Sequence, residues 1–318
     1  MKTYLRASSM LFNTPLIVAP EVLDMAVRWA NQVMNLNIIN IGAQAADPRM
    51  WDDDGAHHSA RMQLEEQRRA SIAATGVAVV PVHGVLVSRA AHMNACETMT
   101  SYEDLRSALR AAIDDPLVER IALDIDSPGG AVSGAFEMAA DLRAMAQQKP
   151  ITGIINFMAA SGGYLLGAAC TELVTSRTSI GGSIGVIASH LDRSQALEKA
   201  GVKVTTVYAG AHKNDLSPSE PITDQSLQTL REIVYSSYEM FCTTVAEYRG
   251  LAVAQVQATE AAVFRGQALI DAGLADRMES PQDAVNNLTR AVHQQRALRA
   301  QSSRVAVRAR AAQALAQI

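Results

Sequence analysis

Residues 150–171 carry no charged side chain. A membrane helix needs ~20 apolar residues in a row, so a run this long either crosses a bilayer or lies wholly inside a protein core. Gly163 and Gly167, at GxxxG spacing, would suit membrane-helix packing. Asn156, Ser161 and the Gly162-Gly163 pair stand in its middle, however, and Thr152–Phe157 reads as a strand. We therefore expect a buried strand, a tight turn of small residues, and a helix from Gly162 to Cys170.

The flanking sequence repeats that grammar. Val77–Val82 and Val85–Val87 read as strands split near His83-Gly84. Ser101 opens a helix with Asp104 in capping-box register, and Pro116 closes it. Strands follow at Val118–Ile125, Leu173–Thr175, Ile184–Ser189 and Lys203–Tyr208, with helices at Ala131–Gln147 and Thr223–Tyr248. Strands alternating with helices imply an α/β domain with a largely parallel sheet. Because the strands are apolar runs, that sheet should be covered on both faces. Only 4% of residues are aromatic against 48% hydrophobic, so aliphatic side chains must fill the core.

Three parts follow from this order: an N-terminal segment and linker (1–70), the α/β domain (71–283), and an Ala- and Arg-rich helical tail (284–318). Val22–Met34 has a helical pattern, and residues 46–70 read as a linker. The His57-His58 pair beside Asp52-Asp53-Asp54 could suggest a metal, but a solvated loop suits it better, because no further cluster completes a ligand set. The tail has six Arg and no acid, and is expected to project from the core or pair with a partner. The net charge of −4 argues against general nucleic-acid binding. Cys96, Cys170 and Cys242 show neither disulfide nor metal spacing, which suits a reducing compartment. Pro15, Pro20, Glu21 and Asp24 interrupt the apolar start, so no secretory signal or membrane anchor is expected.

Chemistry concentrates at a few positions. Ser161 sits in Ala159-Ala160-Ser161-Gly162-Gly163, where small neighbours leave room for a substrate backbone and the helix start favours developing negative charge. A serine needs a base within reach. Lys213, in Gly210-Ala211-His212-Lys213-Asn214-Asp215, could serve once burial lowers its pKa. His212 is a rival base through a Ser161–His212–Asp215 triad, although adjacent residues point apart and His212 and Lys213 cannot both face Ser161. The Gly129-Gly130 turn, with Gly162, could aim N–H groups at an oxyanion. Ser183 could hydrogen-bond and orient a neutral lysine.

These segments together resemble the signal peptide peptidase A family of Ser-Lys serine peptidases. The resemblance rests on Asp126-Ser127-Pro128-Gly129-Gly130, Ala160-Ser161-Gly162-Gly163, Gly182-Ser183-Ile184-Gly185-Val186 and Gly210-Ala211-His212-Lys213. It closes on Gly266-Gln267-Ala268 and Gly273-Leu274-Ala275-Asp276. It implies Ser161 as nucleophile, Lys213 as general base, Ser183 as the lysine-orienting serine, and Gly129-Gly130 as the oxyanion region. It also implies a Clp-protease/crotonase-like α/β spiral, a homo-oligomeric ring, and no cofactor or metal. Phe12–Glu21, Gly84–Arg89 and Thr259–Val263 are similar to the branch of phage head maturation proteases. That branch implies scaffold, portal or capsid proteins as substrates, self-cleavage, and action in the host cytoplasm and procapsid interior. The long scaffold region usual there is short or missing here. The rival readings are a soluble signal-peptide peptidase, a non-catalytic scaffold protein, and a crotonase-type acyl-CoA enzyme, in which the Ser/Lys motifs would have no role.

Overall fold

The computed structural model describes residues 15–18, 54–89 and 99–315. The helical pattern at 22–34 lies outside them. The elements are β1 (Leu16–Val18), α1 (Asp54–Thr75), β2 (Val77–Val87), β3 (Met99–Ser101), α2 (Tyr102–Asp114), β4 (Arg120–Ala131), α3 (Ala135–Gln148), β5 (Ile151–Ala160), α4 (Gly162–Ala168), β6 (Glu172–Thr175), β7 (Ile180–Gly182), α5 (Ser194–Lys199), α6 (Asp224–Arg249), α7 (Val253–Gln257), β8 (Val263–Arg265), α8 (Gln267–Asp271), β9 (Arg277–Met278) and α9 (Pro281–Leu315).

The expected α/β class holds. One sheet runs β3-β2-β4-β5-β6-β9, all parallel. At the C-terminal ends of its central strands the sheet divides. The last residues of β4 take β1 as an antiparallel neighbour, whereas the last residues of β5 take β7, which pairs antiparallel with β8. Register shifts mark the division, between His83 and Val85 in β2 and between Ile125 and Ser127 in β4. Such irregularities bend strands and re-aim side chains.

Side chains alternate across β4. Ile121, Leu123 and Ile125 enter the main core beneath α2, α3, α4 and α6, while Ala122 joins Val77, Ile154 and Val174 in a second cluster under Ala284, Leu288 and Val292 of α9. The first three turns of the tail are therefore core, and its exposed part starts later than expected. Cover on that face is also partial, because Val79, two residues on from Val77, remains exposed. Residue 70 lies within α1 and residue 283 within the first turn of α9.

Helix α2 starts as its sequence promised, with the Asp104 N–H donating to Ser101 Oγ at 3.1 Å. Helix α6 is capped the same way, the Ser226 N–H donating to Thr223 Oγ1. Three expectations are corrected. Residues 54–75 form a helix rather than a linker or loop: they are rich in helix formers, and Ile72 is buried in the main core. Residues 203–208 are not a strand, since they find no edge to pair with among the described residues and are exposed throughout, Val207 to 92%. Of 184–189, only Ile187 pairs, through a bridge to Leu16.

Candidate functional site

Strand β5 runs through the core and ends at Ala160, paired to Gly182 of β7. The ladder continues one residue further, as the Ser161 N–H donates to the Gly182 carbonyl at 2.8 Å. The chain then reverses. Ser161 has φ 53° and ψ −118°, and α4 begins at Gly162. A non-glycine residue held in such a region costs ~1–3 kcal/mol and persists only where its surroundings over-determine it. Here they do. Ser161 is 1% exposed, its carbonyl accepts from the Leu165 N–H, and its Oγ donates to the Gly185 carbonyl at 3.4 Å.

The small residues around it have steric reasons. A Cβ on Gly163 would lie 2.8 Å from the Ser127 carbonyl oxygen, so α4 packs its first turn directly on the β4 turn. Gly130 is tighter still, at 1.9 Å from the Leu86 carbonyl oxygen. The turn between them is locked by a residue whose role the sequence did not suggest. Ser127 Oγ donates to the Gly84 carbonyl at 2.7 Å and accepts from the Gly129 N–H at 3.2 Å. The Gly129 amide is committed to Ser127 Oγ and Gly130 pairs with residue 17 of β1, so of the three glycines expected to face an oxyanion only Gly162 stands at a helix start, where amides lack intrahelical acceptors.

Ser183 stands next to this turn. It is buried, also has positive φ (52°), and its N–H donates to the Ala262 carbonyl. Its hydroxyl has no hydrogen-bond partner among the described residues. Behind Ser161, the Tyr164 hydroxyl donates to the Leu274 carbonyl at 2.9 Å, and burial raises the Tyr164 pKa. Nearby, Asp276 receives the Leu173 N–H and two hydrogen bonds from Arg249. Partial burial pushes the Asp276 carboxyl up, but the Arg249 guanidinium and Leu173 amide outweigh this and hold it below the usual carboxylate range. The Gly273–Asp276 motif thus ties α6, β6 and the helix carrying Ser161 together.

Lys213 lies apart. It is exposed, its N–H donates to the Gly210 carbonyl, and no hydrogen bond or ion pair joins its side chain to a described residue. The structure therefore assembles Ser161, Ser183 and the glycine turns, and does not bring Lys213 into contact with them within one chain. The rival triad is half-formed. His212 Nδ1 lies 2.7 Å from Asp215 Oδ2, but His212 is 72% exposed and makes no hydrogen bond to Ser161. Asp215 also accepts from Gln225, Ser226 and Thr229 on the first turns of α6. The His212 and Gln225 hydrogen bonds, foremost among these, lower the Asp215 pKa. This carboxylate anchors the Lys213 loop to α6. Its signal in the sequence was the run of polar residues at Gln225, Ser226 and Thr229, one to four positions apart on a helix.

A strained, buried serine at a strand-to-helix turn, on a mostly parallel sheet, places the chain among α/β proteins built around an elbow-like serine. Residues 143–295 match the model of Peptidase family S49, and the chain carries a domain of that family. Capsid assembly protease C of Escherichia phage lambda is 36% identical over 87% of this chain and 64% of its own length. Head-tail preconnector protein GP5 of Enterobacteria phage P21 is 40% identical over 69% of this chain and 44% of its own. The chain thus spans less than two thirds of either relative. Among solved structures, a ClpP1 point mutant from Listeria monocytogenes overlaps 69% of this chain and 99% of its own at 12% identity, with a TM-score of 0.43. No described helix is long and apolar enough to cross a membrane, and residues 150–171 form β5 and α4.

Proposed function

We propose that the chain is a serine endopeptidase with a Ser161–Lys213 dyad that matures phage heads, cutting scaffold, portal or capsid proteins and itself in the procapsid interior within the host cytoplasm. The observation that carries this reading is the strained backbone of Ser161, a buried hydroxyl held at the start of α4. The names of the two phage relatives support the setting.

In this reading neutral Lys213 Nζ takes the Oγ proton as Ser161 Oγ bonds to the peptide carbonyl carbon. The Gly162 amide and the Gly129-Gly130 turn, once β1 no longer pairs with it, stabilise the oxyanion. The C–N bond then breaks, Lys213 returns its proton to the leaving amine, and water, activated by the same lysine, resolves the acyl-enzyme. An amine becomes a base when desolvation disfavours its charged form. The exposed Lys213 loop gains such surroundings when a neighbouring copy covers it, next to that copy's Ser183 hydroxyl, which has no partner among the described residues. Assembly into a ring then completes the site and keeps the free chain inactive.

The test is intact mass over several days for wild type, Ser161→Ala, Lys213→Ala, and the two variants mixed. Trimming in wild type and in the mixture, with none in either variant alone, is the expected result. Trimming that persists in Ser161→Ala would overturn the assignment.

A further inference from the structure

The free edge beside the Gly129-Gly130 turn is already filled. Strand β1 pairs antiparallel with it, Leu16 opposite Ala131, residue 17 opposite Gly130, and Val18 opposite Gly129. On its other side β1 meets the chain that follows the Ser161 contact. The Leu16 N–H donates to the Ile187 carbonyl at 2.8 Å, and the Ile187 N–H returns a bond to the Leu16 carbonyl at 2.9 Å. Ile187 is two residues from Gly185, whose carbonyl receives Ser161 Oγ. Leu16 and Val18 are buried against Ile187 in a small cluster separate from both main cores. Three residues thus lie as an extended strand in a slot walled by the glycine turn and the Ser161-adjacent loop.

Extended peptides are recognised by adding a strand to such an edge, with backbone bonds giving affinity and alternate side chains giving specificity. We propose that this slot is the peptide-binding groove and that Leu16–Val18 is its built-in occupant, which a substrate must displace. The inference rests on the peptidase reading for what enters the groove. It names the substrate class as an extended segment with apolar side chains two positions apart, as Leu16 and Val18 are. Pro15 bounds the occupant, since it has no N–H to extend the pairing. Tethered in the same chain, β1 competes at an effective concentration on the order of 1 mM, enough to weaken a peptide of ~100 µM intrinsic affinity roughly tenfold.

The experiment uses the full chain in a Ser161→Ala background and a fluorescent peptide with the sequence of residues 12–22. Leu16→Glu should bind this probe roughly tenfold more tightly than the parent. A Leu16→Cys/Ile187→Cys variant, whose bridged pair can be cross-linked, should bind it when reduced and lose binding when oxidised. Equal binding in the oxidised and reduced states would overturn the proposal, and the reduced form serves as its own folding control. Fluorophosphonate labelling of Ser161, in the same cysteine pair with the serine restored, separates the two readings. If probe binding switches with oxidation and Ser161 never labels, the groove stands and the peptidase reading falls. If Ser161 labels equally fast in both states, β1 is a permanent strand of the sheet and the groove lies elsewhere.

Discussion

The two regions that carry the proposed dyad are built in opposite ways. Around Ser161, backbone N–H and C=O groups of β5, β7 and α4 are paired, glycines are demanded by contacts under 3 Å, and the serine's backbone is held in strain. Around Lys213, residues 201–213 are all exposed, and the loop is held chiefly through Asp215 to the first turns of α6. The fold alone therefore holds Ser161 rigidly and leaves Lys213 outside, the two residues of the proposed dyad. Strain can be stored only where packing over-determines the chain, and an uncovered loop cannot store it.

Removing each functional group, with activity and stability read together, tests this contrast most directly. Lys213→Ala should lower peptide cleavage by a factor on the order of 10³ or more and leave the urea midpoint unchanged within ~0.5 kcal/mol. A large loss of stability would show that the loop is packed after all. Gly130→Ala should cost several kcal/mol, on the order of the largest single-site effects, because its Cβ would lie 1.9 Å from the Leu86 carbonyl oxygen. A soluble, fully folded Gly130→Ala chain by circular dichroism would contradict the rigid half of the picture.

A smaller effect is expected at the support behind Ser161. Asp276→Asn should destabilise by ~1–3 kcal/mol, less than a fully buried pair because the carboxylate is partly solvated. Its pKa is lowered in the folded state, so its stabilisation is fully present above the unfolded value of ~3.9 and is lost as pH falls through the folded value. The gap between wild type and Asp276→Asn in thermal melts should therefore be full at pH 6 and shrink below about pH 4. A gap that widens on acidification would show the sign to be wrong. The smallest effect is Ser161→Gly, which should be more stable than Ser161→Ala by ~1 kcal/mol, since only glycine relieves a backbone at φ 53°. Equal midpoints for the two would mean the turn is not strained.

Much of the rigid half was legible in the sequence because it follows local rules. The apolar runs, the Ser101 cap and the Ala-Ser-Gly-Gly turn each point to one conformation. Strand β4 runs on to Ala131, past its expected end at Ile125, because Pro128 falls where the ladder is already irregular and a missing N–H is tolerated. The second region misled for a physical reason. Val202, Val204 and Val207 suit a strand, but strand preference is a preference for packing against neighbours, and among the described residues all three stay exposed. Helix α1 was misread in the other direction: polar on nearly every side, it shows no apolar stripe. The clasp of Ser127 on Gly84 could not be read at all, and the anchoring of Asp215 left only the polar run at Gln225, Ser226 and Thr229, since each joins segments that become neighbours only in the folded chain.

Helix α9 leaves the body after Arg299, whose pairing with Glu119, shared with Arg296, is its last ionic tie among the described residues. Residues 300–315 then extend ~24 Å at 1.5 Å per residue. Arg304 is exposed there, and the sequence that follows brings two further arginines, on a chain whose total charge is negative. At physiological salt fields decay over ~8 Å, so the spur is an electrically separate object from the acidic body behind it. The molecule has two poles, and dilute salt would draw each toward the opposite pole of another copy.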